Sequence, residues 1–336
     1  MKLRKLLFPF SVLYDGVTSL RNLAYSKGWK ESRSYPIPVI CVGNLSVGGT
    51  GKSPMVEYLI DLLRKDYCVA VLSRGYKRKS NGFLEVQVKN TAEEVGDEPL
   101  QFKQKFPEVT IAVCADRREG IERLMPKAEV ILLDDAFQHR RVNPSFSILL
   151  TPFDDLYMDD LLLPAGNLRE SSRGANRANI VLVTKCPEGV AYSKLQKVQY
   201  DMELDFPQKI FFSKIGYGTM IHGATESLPL DYLLDKSFTL VTGIANPKPL
   251  VEFLGGKKMN FIHDKFPDHH HFSDSEISIL QEKEIILTTE KDYMRLHTKL
   301  EKFALYYISI KTIILNDQDE VFKDLVREAI LKFKNP

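Results

Sequence analysis

Leu3, Leu6, Leu7, Phe10, Leu13, Tyr14, Val17 and Leu20 recur at intervals of three and four residues, a spacing that predicts an amphipathic helix near the N-terminus. Lys2, Arg4, Lys5, Arg21, Lys27 and Lys30 surround it with positive charge. Its apolar face has two possible partners, the chain's own core or an anionic membrane surface. Pro9 and Gly16 argue against one continuous straight helix.

Beyond Pro36 and Pro38 the pattern changes to short apolar runs alternating with amphipathic stretches, as in a doubly wound parallel sheet. Strands are expected at 39–42, 69–73, 109–114, 130–134, 146–150 and 180–184, with crossover helices at 55–65, 98–106 and 117–124. Val130-Ile131-Leu132-Leu133 and Ile180-Val181-Leu182-Val183 are apolar without alternation, so both faces of the sheet should be covered. The periodicity weakens around 205–236. A second set then follows, with strands at 238–241, 259–262, 285–288 and 306–310 and helices from about 249, from 274 and up to about 332. The expected division is a basic amphipathic segment (1–35), a larger α/β domain (36–205), a linker region (206–236) and a smaller α/β domain (237–336).

Lys and Arg number 46 against 44 Asp and Glu, so the whole-chain charge gives no reason to expect a nucleic-acid partner. Cys41, Cys68, Cys114 and Cys186 show no C-x-x-C spacing, which fits a reducing compartment better than a disulfide framework. No apolar run reaches the roughly 18 to 20 residues of a spanning helix. The run Leu6-Leu7-Phe8-Pro9-Phe10 is too short for a signal peptide and no small-residue cleavage site follows it, so the segment is expected to belong to the mature protein.

The chemistry starts where the first strand ends. Val39-Ile40-Cys41-Val42-Gly43-Asn44-Leu45 leads into Ser46-Val47-Gly48-Gly49-Thr50-Gly51-Lys52-Ser53, a glycine-rich turn followed by an amphipathic helix. This is the setting of a phosphate-binding loop, in which backbone N–H groups and a helix N-terminus converge on phosphate oxygens. Lys52 would neutralise the β and γ phosphates of a nucleoside triphosphate, and Ser53 would ligate Mg²⁺. The strict loop pattern has glycine where this chain has Ser46.

A phosphate loop needs a carboxylate at a neighbouring strand end for the metal, and Asp134-Asp135 follows an apolar run of four. In strand geometry the two point to opposite sides, one on the metal directly and the other through water. Gly96-Asp97-Glu98-Pro99 opens a helix, where Asp97 is either an N-cap or a functional acid. Asp268-His269-His270-His271 reads as a surface loop or the source of one catalytic histidine, because three consecutive histidines do not converge on one ion.

These residues carry a resemblance to the tetraacyldisaccharide 4′-kinase (lipid A 4′-kinase) family. The matching segments keep their order along nearly the whole chain: Leu-Arg-Asn-Leu-Ala-Tyr at 20–25, the loop through Pro54, Ser-Arg-Gly-Tyr at 73–76, Val-Gly-Asp-Glu-Pro at 95–99 and Asp-Arg-Arg-Glu-Gly at 116–120. They continue with Leu-Asp-Asp-Ala-Phe-Gln-His-Arg at 133–140, Leu-Pro-Ala-Gly-Asn-Leu-Arg-Glu at 163–170, Thr-Gly-Ile-Ala-Asn-Pro at 242–247, Phe-Pro-Asp-His-His at 266–270 and Thr-Glu-Lys-Asp at 289–292. The family tolerates a residue other than glycine at the Ser46 position and usually has glycine where this chain has Ala136.

The resemblance implies a P-loop NTPase-like fold with a second, smaller α/β domain closing the cleft. It implies transfer of the ATP γ-phosphoryl group to the 4′-hydroxyl of a tetraacylated glucosamine disaccharide 1-phosphate, with Mg²⁺, to form lipid IVA. By the same resemblance Asp97 is the catalytic base, paired with His269 more than with His270, while Arg74, Arg117 or Arg118, and Arg169 grip phosphates. A four-chain lipid substrate favours the membrane reading of residues 1–35, peripheral at the cytoplasmic face of the inner membrane. Two other readings compete. A kinase for a soluble alcohol would not depend on the N-terminal segment; the other is a non-enzymatic nucleotide switch or partitioning ATPase, and a guanine-specific switch would carry an N/T-K-x-D signature that Thr184-Lys185-Cys186-Pro187 and Thr289-Glu290-Lys291-Asp292 both miss.

Overall fold

One mixed sheet of 13 strands runs through both halves of the chain in the computed structural model, which describes residues 3–268, 270–300 and 304–334. The first half supplies β1 (Val39–Asn44), β2 (Val69–Ser73), β3 (Leu84–Glu85), β4 (Thr110–Val113), β5 (Val130–Asp134), β6 (Phe146–Pro152) and β7 (Ile180–Thr184). They lie in the order β3-β4-β2-β5-β1-β6-β7, all parallel except β3. The helices between them are α2 (Lys52–Leu63), α3 (Ala92–Val95), α4 (Asp97–Lys105) and α5 (Arg117–Leu124), preceded by α1 (Phe8–Ser26) and followed by α6 (Tyr192–Asp201).

The uninterrupted apolar runs have the predicted cause. Ile40, Val71, Leu132 and Leu182 enter one core, while Cys41, Leu72, Leu133 and Val183 enter the core on the opposite face. Each fully buried aliphatic side chain of this kind stabilises the fold by about 1.5 to 3 kcal/mol. β1 lies between β5 and β6, so the loop leaving its carboxyl end opens where the chain crosses from one side of the sheet to the other.

The segment 206–236, expected as a linker, is instead the seam of the molecule. β8 (Lys209–His222) pairs parallel with β7 over its first residues and antiparallel with β13 (Leu305–Ile314) over the rest. Its pattern is hard to read because the environment changes along one strand and because glycines replace side chains at crowded positions. A Cβ at Gly216 would come within 2.4 Å of Ile313, and one at Gly218 within 2.6 Å of Ser309.

Next come β9 (Ser227–Pro229), β10 (Ser237–Thr242), β11 (Asn260–Lys265) and β12 (Ile286–Thr289), with α7 (Lys248–Gly256), α8 (Asp274–Gln281), α9 (Glu290–Leu296) and α10 (Asp319–Lys334). Phe322 of α10 packs edge-on against Tyr58 of α2 and Phe211 of β8, with ring centroids 5.6 and 5.2 Å apart. The smaller lobe is therefore bound into the same core as the helix that follows the glycine-rich loop.

α1 corrects an expectation. It is one continuous helix, because Pro9 sits in its first turn, where a missing N–H is harmless, and a side chain at Gly16 would meet nothing within 4 Å.

Candidate active site

The loop between β1 and α2 is shaped by two glycines with left-handed backbone, Gly48 (φ +120°) and Gly51 (φ +91°), the latter at the N-terminus of α2. Hydrogen bonds from several directions fix it: Val47 N to the Asn167 carbonyl (2.8 Å), Asn44 Nδ2 to the Ser46 carbonyl (2.6 Å) and Thr184 Oγ1 to the Thr50 carbonyl (2.7 Å). Ser46 forms an antiparallel bridge with Leu168, an extended conformation open to any residue, which explains why glycine is not needed there. Lys52 Nζ lies 3.2 Å from Asn44 Oδ1 and 3.6 Å from Asp135 Oδ1.

Beside the loop stand three carboxylates in different electrostatic states. Ser53 Oγ donates to Glu98 Oε1 at 2.6 Å, and the same oxygen accepts from Lys291 Nζ at 2.6 Å. Burial pushes the Glu98 carboxyl up, but Lys291, Ser53 and Lys52 together outweigh it and hold the group at about 2. Asp134, at the end of β5, goes the other way: burial first, then Glu98 and Asp135, push it up to about 7. Its Oδ2 accepts from Ser73 Oγ at 3.0 Å, while Oδ1 is buried without a partner. Asp135 leaves the strand at φ +47° and accepts from Arg169 Nη1 at 3.2 and 3.3 Å.

This donor set fits Mg²⁺. Ser53 Oγ, Glu98 and the unpartnered oxygen of Asp134 would offer hard oxygen donors next to the glycine-rich loop, and among the described residues no group of three or more His, Cys, Asp or Glu forms a cage. Mg²⁺ suits such a sparse set because it keeps waters and arrives with phosphates. A carboxyl whose folded-state value lies above its unfolded one stabilises the fold below the unfolded value of about 3.9 and loses that contribution as the pH rises toward about 7. Asp134→Asn should therefore raise the melting temperature of the metal-free protein by several degrees near pH 8 and by less near pH 5, while abolishing metal-dependent turnover. Thermal denaturation in EDTA at both pH values checks the sign.

Asp97 is not an N-cap. Gly96, with φ +93°, holds that position, and a Cβ on it would crowd Gly75 and the Tyr76 carbonyl at 3.3 Å; Asp97 is the first residue of α4. Its carboxylate is held by Arg295 of α9, through Nε to Oδ1 at 3.2 Å and through Nη2 to Oδ2. Arg295 is itself fixed by the buried Asp292 (3.2 Å), which accepts from Gly243 N and Thr289 Oγ1, both at 2.8 Å. Of the two histidines proposed to face Asp97, His269 lies outside the described residues. His270 is engaged elsewhere, with Nε2 3.0 Å from both Glu276 oxygens and its ring stacked on Phe266.

The four arginines separate. Arg169 joins the site through Asp135. Arg117 is buried and donates to the backbone carbonyls of Cys114 (2.6 Å) and Asp134 (3.2 Å), so it shapes the end of β5 from inside the fold. Arg118 stays beside Asp116 at 3.6 Å, and Arg74 is exposed just beyond β2. Glu98, Lys291 and Arg295 were missed as site residues, although each stands within a motif that drew notice or just beyond one.

α1 is amphipathic in reverse. Its polar stripe docks on the body: Ser11 Oγ donates to the Leu162 carbonyl (2.9 Å), Tyr14 to the Arg169 carbonyl (2.9 Å) and Asn22 to Glu170 (2.6 Å). Its apolar stripe faces outward, with Phe10 60%, Leu13 69%, Val17 69% and Leu20 62% exposed. Among the described residues no helix is long and apolar enough to cross a membrane.

A family model described as tetraacyldisaccharide-1-P 4′-kinase matches residues 3–330. Curated relatives named tetraacyldisaccharide 4′-kinase include one from Flavobacterium johnsoniae, 51% identical over 322 residues with 94% of each chain covered. Another, from Bacteroides thetaiotaomicron, is 44% identical over 349 residues, with 96% of this chain and 92% of the relative covered. The crystal structure of LpxK from Aquifex aeolicus in complex with ATP is similar to this one with a TM-score of 0.81 at 34% identity, covering 98% of this chain and 99% of that one.

Proposed function

Because the chain belongs to the tetraacyldisaccharide-1-P 4′-kinase family, we propose that its two lobes form an ATP-dependent site that phosphorylates the 4′-hydroxyl of a tetraacylated disaccharide 1-phosphate, a step of lipid A biosynthesis. The observation that supports this most directly is that Ser53, at the end of the glycine-rich loop, bonds to Glu98, whose chain neighbour Asp97 is held by Arg295 of the smaller lobe. In this reading Ser46 to Ser53 cradle the ATP phosphates and Lys52 neutralises the β and γ groups. Ser53, Asp134 and Glu98 would hold Mg²⁺, with Asp135 outside or through water. When bound, the ion supplies charge neutralisation at the phosphates.

Asp97 takes the proton of the sugar hydroxyl as that oxygen attacks the γ-phosphorus in line. Arg295 fixes the carboxylate's orientation, and His269 tunes it. Residues 237–336 close over the cleft and exclude water that would otherwise hydrolyse ATP. Arg169 holds Asp135 beside Lys52, while Arg74 and Arg118 are left to meet the substrate's anionic groups.

Residues 1–35 complete the reading. The outward apolar stripe of α1, with the exposed Trp29 just beyond its end and Lys5, Lys27 and Lys30 around it, suits burial in the headgroup region of an anionic leaflet at the cytoplasmic face of the inner membrane. The inward polar stripe holds the body against that surface. Purified protein given Mg-ATP and the tetraacyldisaccharide 1-phosphate in anionic vesicles should yield a product heavier by one phosphate; no mass gain sinks the assignment. Leu13→Glu combined with Val17→Glu should abolish co-sedimentation with the vesicles and lower turnover of the vesicle-borne lipid about tenfold or more, with ATP affinity unchanged. Unaltered sedimentation would remove the membrane role of α1.

A further inference from the structure

The segments Thr184-Lys185 and Thr289-Glu290-Lys291-Asp292, discarded above as base-specificity signatures, both bring a lysine to the glycine-rich loop. Lys185 follows β7 at φ +56° and donates to the Gly49 carbonyl. Lys291, in the first turn of α9, donates to the Glu98 oxygen that Ser53 also uses. Burial, then Lys291, then Lys52 depress Lys185 below the ordinary lysine range, so the three ammonium groups sit close enough to feel one another. The ionised Glu98 opposes Lys291 directly, and Asp135 is shared between Lys52 and Arg169. Three cations around the glycine-rich loop, one of them resting on Glu98, are arranged for a polyanion larger than the loop's own lysine can neutralise.

Lys291 differs from the other two in origin. Lys52 and Lys185 belong to the larger lobe, whereas Lys291 arrives from the smaller one across 193 residues of sequence. Its neighbours on α9 lock it in place: Arg295 grips Asp97, and Glu290 accepts from Lys105, which also reaches Glu57 of α2. The ammonium thus sits on Glu98, within electrostatic reach of both Asp134 and Asp97.

We propose that Lys291 is a catalytic lysine that the smaller lobe contributes to the ATP site, held on Glu98 by their ion pair and transferring to the γ-phosphate when the nucleotide binds. The inference rests on the phosphate-loop reading given under Proposed function and adds to it a second lysine that recognises the third phosphate. A lysine contributed by the second lobe also makes lobe closure and phosphoryl transfer interdependent, since the charge is present only when α9 is docked.

The test separates a phosphate ligand from a structural tie. Nucleotide binding is measured by calorimetry in EDTA, so that no metal contributes, on the full-length parent, K291M and K291R. K291M should bind ATP about 10- to 100-fold more weakly, as expected for losing a charge-assisted contact, with ADP affinity within about threefold of the parent. K291R should restore much of the preference for ATP. In the Mg-ATP assay K291M should lose about 10²- to 10³-fold in kcat. K291Q, which keeps a donor for Glu98 without the charge, replaces K291M if that variant does not fold. A retained preference for ATP over ADP, an equal loss of both nucleotides, or a kcat within a few-fold of the parent each overturns the proposal. Lys52→Ala run in parallel should weaken both ADP and ATP; if it leaves both at parental affinity, the loop reading itself fails, and the two failures are distinguishable.

Discussion

Asp97→Asn should lower kcat by about 10²- to 10⁴-fold, the range typical of removing a general base, while nucleotide affinity changes little. The amide keeps the size of the carboxylate and one oxygen acceptor for Arg295, so α4 and α9 should remain docked and the loss should lie in proton transfer. The substrate hydroxyl is a poor nucleophile until its proton leaves, and a neutral amide does not accept that proton. The result to look for is a collapse of kcat with ATP binding intact. If kcat stays within about threefold of the parent and only the melting temperature falls, Asp97 is an anchor for Arg295 and not the base.

Lys52→Ala is the second large effect. Its ammonium is the loop's own charge, near Asn44 and Asp135, and no other side chain of the loop carries a positive charge. Removing one such group from a preorganised site lowers kcat by about 10²- to 10³-fold, and here the loss of ground-state phosphate binding adds to it. Both the mass-detected transfer to the lipid hydroxyl and nucleotide affinity should fall together. Asp97→Asn should lower only the first, so the two variants distinguish donor binding from acceptor activation. Full activity in Lys52→Ala would remove the phosphate loop from the mechanism.

Much of this was legible before the fold was known, for reasons particular residues make clear. Val130–Asp134 and Ile180–Thr184 were read to the residue, because strands covered on both faces need unbroken apolar runs and few other structures do. The loop was legible because close backbone approach to phosphate demands glycine at positions such as Gly48 and Gly51. β8 was not legible: within 14 residues it passes from pairing with β7 of one lobe to pairing with β13 of the other, so no single periodicity describes it. The facing of α1 was not legible either. Its stripe of spaced apolar residues is the same whether it faces a core or a membrane, and only the docking of Ser11, Tyr14 and Asn22 on the 162–170 region turns it outward.

The sequence alone determined the class of fold, the phosphate loop, the carboxylates at the ends of β5 and at the start of α4, and through its ordered motifs the family. These are local properties, fixed by which residues tolerate a turn, a strand or a strong charge at one position. Only the tertiary structure decided which partners those residues have. Arg295 reaches Asp97 across 198 residues and Lys291 reaches Glu98 across 193, because β8 joins the two lobes into one sheet and packs α9 against α4. Periodicity records whether a side chain is buried; it does not record which charge lies opposite, and that depends on the path of the whole chain.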